Sequence, residues 1–138
     1  MTILLKNKHT LKVDDFYFQC CIGKNGISKK KKEGDKKTPK GFFKIHHLYF
    51  RKDRIKKPKT RLKCIKIKKN MGWCNDIKSK KYNKEISFPF NYKAEKLFRN
   101  DKKYDIFINI KHNHSPVVKN KGSAIFLHLC DKKYKPTA

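Results

Sequence analysis

Tyr104-Asp105-Ile106-Phe107-Ile108-Asn109-Ile110-Lys111-His112 and, after a break at Gly122-Ser123, Ala124-Ile125-Phe126-Leu127-His128-Leu129-Cys130 decide the fold. In the first segment Tyr104, Ile106, Ile108 and Ile110 alternate with Asp105, Phe107, Asn109 and Lys111. A period of two is that of a strand, whose successive side chains leave opposite faces, and it carries His112 on the isoleucine series. In the second segment Ile125, Leu127 and Leu129 point one way, and Ala124, Phe126, His128 and Cys130 the other. Two such strands so close in the chain predict a mainly β core.

Outward from this pair the reading stays mostly β. Ile3–Leu5 and residues 11–22 read as short strands, and Asn25-Gly26 between Cys21-Ile22 and Ile27 has hairpin-turn chemistry. Residues 29–41 are charged and punctuated by Gly34, Pro39 and Gly41, so they read as a long loop. Residues 41–50 follow as a strand, 52–60 as a basic loop with Pro58, and Leu62, Cys64, Ile65 and Ile67 mark another strand. Ala94, Leu97 and Phe98 suit one short helix over 93–99, the only one expected. The prediction is one mainly β domain spanning 1–138, with strands at 16–22, 42–50, 104–111 and 124–129.

Composition agrees with a globular chain. Hydrophobic residues make up 37% and aromatic residues 12% of the 138, enough for one modest core. No apolar run approaches the ~20 residues of a membrane span, and Met1-Thr2-Ile3-Leu4-Leu5-Lys6 is no secretory h-region. Against 11 Asp+Glu stand 38 Lys+Arg, a net charge of +27. Such a field attracts polyanions, but the lysines are spread along the whole chain and read as solvated faces. Polyanion binding is therefore expected to be non-specific and salt-dependent. The five cysteines, Cys20, Cys21, Cys64, Cys74 and Cys130, form no Cys-x-x-Cys pair, so neither a metal nor a cofactor is expected.

Three ordered blocks carry a resemblance. The first is Glu33-Gly34-Asp35-x-x-Thr38-Pro39-x-Gly41-x-Phe43, followed by Tyr49-Phe50-Arg51-x-Asp53-Arg54. The second is Gly72-Trp73-Cys74-x-Asp76 with Tyr82-Asn83, and the third His112-Asn113, Gly122-Ser123-Ala124-Ile125-Phe126-Leu127-His128 and Pro136-Thr137. Together they resemble the YkuD-type L,D-transpeptidase catalytic domain from about Gly23 onward. The resemblance implies a β-sandwich-like fold and cysteine acyl transfer on peptidoglycan stem peptides. It gives His128 the role of general base, with its ring oriented by the Leu129 carbonyl, and makes His112, Asn113 and Ser123 substrate-binding candidates. In the family, Pro-Thr leads through one residue into Gly-Cys, the nucleophile. Here the sequence reads Pro136-Thr137-Ala138 and stops, so the domain is expected to be incomplete at its C-terminus and inactive as given. The family's setting, the cell envelope, is expected too, although no export signal is visible.

Other residues have plainer expectations. Cys130 shares a strand face with His128, but two residues of rise set their Cβ atoms roughly 7 Å apart, so it reads as core filler, as does Cys74. Arg51 and Arg54 read as salt-bridge partners of Asp53 or Asp35. Neighbouring His46 and His47 should project to opposite faces, which argues against a shared metal. Two other functions compete with the enzyme: a basic nucleic-acid-binding protein, and an envelope-binding module without catalysis. The aromatic residues follow strand periodicity and form no base-stacking platform, which disfavours the first.

Overall fold

A computed structural model describes residues 1–29 and 31–137. Lys30, inside the lysine run, and Ala138 lie outside them. Among the described residues the regular structure is all β. The strands are β1 (Ile3–Leu5), β2 (Thr10–Val13), β3 (Phe16–Gln19), β4 (Ile27–Ser28), β5 (Thr38–Pro39), β6 (Ile45–Phe50), β7 (Cys64–Lys66), β8 (Met71–Cys74), β9 (Glu85–Ser87), β10 (Ala94–Lys96), β11 (Ile106–Ile110) and β12 (Phe126–His128). They form four sheets, ordered β12-β11-β6-β7, β10-β8-β9, β1-β2-β3 and β4-β5.

The core lies between the first two sheets. Tyr49 from β6, Phe107 from β11 and Phe126 from β12 meet Trp73 and Met71 from β8 and Leu97 just past β10. Tyr49 and Phe107 stack with ring centroids 4.7 Å apart, Phe126 tilts onto Phe107 at 4.5 Å, and Trp73 meets Phe126 edge-on at 5.1 Å. Offset and edge-to-face contacts of this kind suit the ring quadrupoles and add to the burial of large apolar area. Gly72 permits the close packing of β8, since a Cβ there would stand 2.6 Å from the Phe88 ring and 2.9 Å from the Glu95 carbonyl.

Two expectations about local structure are corrected. Residues 93–99 hold a strand and no helix: β10 pairs antiparallel with β8, Ala94 opposite Cys74 and Lys96 opposite Gly72. The spacing of Ala94, Leu97 and Phe98 fits a helical face, but seven residues are too few to repay helix nucleation. The open edge of β8 offers backbone partners instead. Second, Asn25-Gly26 does turn the chain, with the Gly26 N–H donating to the Gly23 carbonyl at 2.9 Å, but no hairpin follows. β4 pairs parallel with β5, inside the expected loop 29–41, while Ile22 and Lys24 bond to Thr137. On β11 the more deeply buried side chains are Phe107 and Asn109, and the isoleucines are half-buried. The aromatic sheet interface claims the Phe107 face, which a count of apolar letters ranks second.

The long strands otherwise lie where expected, with shorter ends: β3 within 16–22, β6 within 42–50, β11 within 104–111 and β12 within 124–129. Leu97 is fully buried, and its N–H donates to the Met71 carbonyl at 3.0 Å. Leu97→Ala is expected to cost about 2–5 kcal/mol, read as a lower urea midpoint with an unchanged slope. A loss below about 1 kcal/mol would show that the two sheets close around the gap.

Candidate active site

His128 ends β12, opposite Phe107 of β11. Strand alternation puts it on the Phe126 side, toward the aromatic core, where its ring meets the Tyr104 ring edge-on at 5.6 Å. Its Nδ1 lies 2.6 Å from the Leu129 carbonyl oxygen. A carbonyl only accepts, so Nδ1 carries the proton and the neutral ring keeps its lone pair on Nε2. Burial lowers the pKa of His128, the Leu129 carbonyl pulls it upward, and Lys103 and Arg99 push it down again; the net shift is downward. The imidazole is thus held in the form that accepts a proton. Around it, the Tyr104 hydroxyl donates to Glu95 at 2.8 Å, and the Arg99 guanidinium sits 5.3 Å over the Tyr104 ring while pairing with Asp101.

A second centre forms around Asn83. Its buried amide oxygen accepts from Trp73 Nε1 at 2.9 Å and from the Ala124 backbone N–H at 3.1 Å. Its Nδ2 donates to the carbonyls of His112 at 3.2 Å and Asn113 at 2.7 Å. The residue adopts φ 54°, a left-handed conformation that asparagine tolerates better than most. One side chain therefore joins β8, the end of β11 and the start of the segment that becomes β12. Sequence alone gives Asn83 no role; its signal is an Asn at the end of a lysine-rich turn, where a left-handed conformation is needed.

The other candidates gather at this centre and not at His128. His112 Nε2 donates to the Lys121 carbonyl at 2.9 Å, and its ring meets Phe43 edge-on at 5.3 Å. Asn113 closes the loop beyond it, donating to the carbonyls of Val118 at 2.8 Å and Gly122 at 2.9 Å and accepting from the Val118 N–H at 2.8 Å. Ser123 Oγ is buried without a hydrogen bond. It lies near the Tyr82 hydroxyl without bonding geometry, and that hydroxyl donates to Glu33 at 2.5 Å. His112 lies beyond the end of β11, past a tight turn in which its N–H donates to the Ile110 carbonyl at 2.7 Å, whereas His128 pairs with Phe107 near the start of that strand.

The Glu33 to Phe43 block builds a platform beside these groups. The Asp35 carboxylate accepts from the backbone N–H groups of Lys32 and Lys37, both at 2.9 Å, and from the Lys31 ammonium. Burial alone would raise its pKa, but Lys31 and the two amides hold it below the usual carboxylate range. Thr38 Oγ1 accepts from the Gly23 N–H at 2.9 Å. Only glycine fits at 23, since a Cβ would meet the Lys36 carbonyl at 2.4 Å. Against Gly23 lies Thr137, its N–H donating to the Ile22 carbonyl at 3.0 Å and its carbonyl accepting from Lys24 at 2.8 Å.

His46 and His47 depart from expectation: their rings stack at 3.6 Å. The register of β6 on β11 runs Leu48 to Ile108 and then Ile45 to Ile110. Two residues therefore oppose Asn109 alone, a bulge that brings neighbouring side chains to one side. With Tyr49, Glu85, Asn109 and His114 they line an open cleft of about 310 Å³. Among the described residues no group of His, Cys, Asp or Glu is arranged to hold a metal ion.

The remaining side chains singled out form ion pairs or are wholly or partly buried. Arg51, buried, clasps Asp53 through two bonds of 2.8 and 2.7 Å and stacks on Phe98; beside it, the Asp53 carboxyl is lowered to about 2. Arg54 pairs instead with Asp105, at 2.7 Å, and Asp35 with Lys31. Cys74 is fully buried. Burial and the neighbouring Cys130 raise Cys20, and raise Cys21 to about 11.

The model of the YkuD family, the L,D-transpeptidase catalytic domain, matches residues 1–137. No curated protein and no solved structure matches the chain.

Asn83→Ala removes both ends of the amide bridge at once and leaves the indole N–H, two carbonyls and an amide without their partner. The expected loss is about 3 kcal/mol or more, measured by urea unfolding, with a changed emission of Trp73 in the folded state. An unchanged midpoint would mean that water replaces the amide at no cost.

Proposed function

Because the chain belongs to the YkuD family of L,D-transpeptidase catalytic domains, we propose that it is built for cysteine acyl transfer between peptidoglycan stem peptides, with His128 as the general base. The whole chain, 1–138, is taken as one such domain. The observation that carries the reading is the 2.6 Å contact between His128 Nδ1 and the Leu129 carbonyl. It leaves Nε2 as the proton acceptor, and the lowered pKa keeps that site unprotonated at neutral pH.

A cysteine thiol of pKa ~8.5 is mostly protonated at neutral pH and gains its nucleophilicity from such a base. His128 takes the thiol proton as sulfur attacks the carbonyl carbon that follows an L-configured centre. The C–S bond forms, and the tetrahedral oxyanion is held by backbone N–H groups. On collapse the C–N bond breaks and the imidazolium returns the proton to the leaving D-alanine amine. The acceptor amine then attacks the thioester, gives its proton to the same ring, and releases the thiolate.

The sulfur for this reaction is proposed to follow Pro136-Thr137 in a Gly-Cys pair, as the resemblance implies. Support comes from the pairing of Thr137 with Gly23, whose own N–H donates to Thr38 of the Glu33–Phe43 block. Cys21, with its thiol raised to about 11, offers almost no thiolate at neutral pH. Ser123, whose buried hydroxyl has no bonding partner, is proposed to meet the stem peptide, with His112 and Asn113 shaping the loop that lines its path.

Mass spectrometry of the intact protein after carbapenem exposure tests the assignment. The 138-residue chain is expected to remain unmodified, and a chain extended beyond Ala138 by a Gly-Cys segment to be acylated. In the extended chain His128→Ala should slow acylation by about 10²–10⁴-fold, whereas Cys130→Ala should leave it unchanged. Acylation of the 138-residue chain at Cys130, or indifference of the extended chain to His128, would overturn the assignment.

A further inference from the structure

The antiparallel sheet β1-β2-β3 has two chemically distinct faces. Its register sets Ile3 opposite Val13 and Val13 opposite Phe16, and Leu5 opposite Leu11 and Leu11 opposite Phe18. Cross-strand partners and i, i+2 neighbours share a face. One face is therefore Ile3, Leu5, Leu11, Val13, Phe16 and Phe18, without a polar side chain. The other carries Leu4, Lys12 and Tyr17, with the ammoniums of Lys6 and Lys12 at 5.4 and 5.7 Å from the Tyr17 ring. An amphipathic sheet normally packs its apolar face onto a core. Here the four aliphatic residues are half-buried, while Phe16 and Phe18 stand 72% and 52% exposed at the open edge.

We propose that this face docks onto an anionic lipid surface, with Phe16 and Phe18 entering the boundary between headgroups and acyl chains. Charge selects that occupant. The chain carries +27, so a second copy meets strong repulsion, whereas a negatively charged leaflet attracts it over a Debye length. Lys6, Lys8 and Lys12 lie within or beside the sheet, opposed by Asp14 and Asp15 in the β2–β3 turn. Asp15 is offset in part by Lys12 at 3.7 Å, and the Asp14 carboxylate accepts from the Thr2 N–H at 3.0 Å. The long-range pull therefore comes from the whole chain, and the contact itself is apolar. Single-stranded nucleic acid answers to the same charge, but its bases stack on aromatic rings and have no use for an aliphatic surface of Ile3, Leu5, Leu11 and Val13. The combination of a lysine-rich body with one aromatic and aliphatic face matches the two signals by which peripheral proteins hold a bilayer.

Flotation of the 138-residue chain with vesicles tests this, comparing phosphatidylglycerol-containing vesicles with pure phosphatidylcholine at physiological and at high salt. Binding is expected only with phosphatidylglycerol. Phe16→Ser with Phe18→Ser should weaken it at least about tenfold, and Leu4→Ser on the opposite face should have little effect. Both phenylalanines are exposed, so the fold should survive, which circular dichroism checks. In a Phe16→Trp variant the emission of the new indole should shift to the blue when vesicles are added. Three results overturn the proposal: binding unaffected by the double substitution, which assigns it to lysines alone; a preference for single-stranded nucleic acid that the phenylalanines control; or a dimer that the same substitutions dissolve.

Discussion

The amide of Asn83 is the constraint on which the placement of the other groups depends. Its oxygen accepts hydrogen bonds from Trp73 and Ala124, and its nitrogen donates to the carbonyls of His112 and Asn113. Trp73 belongs to the sheet that covers the core, and Ala124 opens the segment that returns as β12. Fixing the Ala124 N–H fixes where β12 begins to alternate, and alternation then directs both Phe126 and His128 to the Phe107 side. A buried amide that left any of these bonds unmade would cost more than the bond is worth in water. Pieces of chain far apart in sequence are thereby held in one register.

The aromatic core has a second effect. The Tyr104 ring that packs against Phe107 and Phe126 also forms the wall beside His128. Packing that stabilises the two-sheet core also withdraws water from the imidazole, and withdrawal of water disfavours the charged ring. The Leu129 carbonyl selects the tautomer. Stability and proton affinity are thus set by the same side chains.

Much of this was legible in the chain. The alternation around Phe107 and Phe126 gave the strands, and the ordered blocks from Glu33 to His128 gave the family. The buried Cys74 and an ion pair for Arg51, with Asp53 as one of two candidate partners, also follow from sequence. What stayed illegible has a common cause, since it depends on partners from elsewhere in the fold. Ala94, Leu97 and Phe98 have helical spacing, yet the free edge of β8 makes a strand of 94–96. His46 and His47 alternate on paper, but the register slip at Asn109 turns both rings to one side. Asn25-Gly26 turns the chain as its chemistry demands, while the choice of β5 as partner for β4 lies twelve residues away. Arg54 takes Asp105 because β11 runs beside β6.

The central claim is that His128 stands neutral, with its proton on Nδ1 and its lone pair on Nε2. Imidazole ¹⁵N spectra followed through the ordinary histidine range, with His128→Gln for assignment, read both the tautomer and the titration. The expected spectrum shows a protonated Nδ1 and a bare Nε2 at neutral pH, with the ring charging only below the unperturbed value of ~6.5. A proton on Nε2, or a ring that charges above that value, would contradict the account.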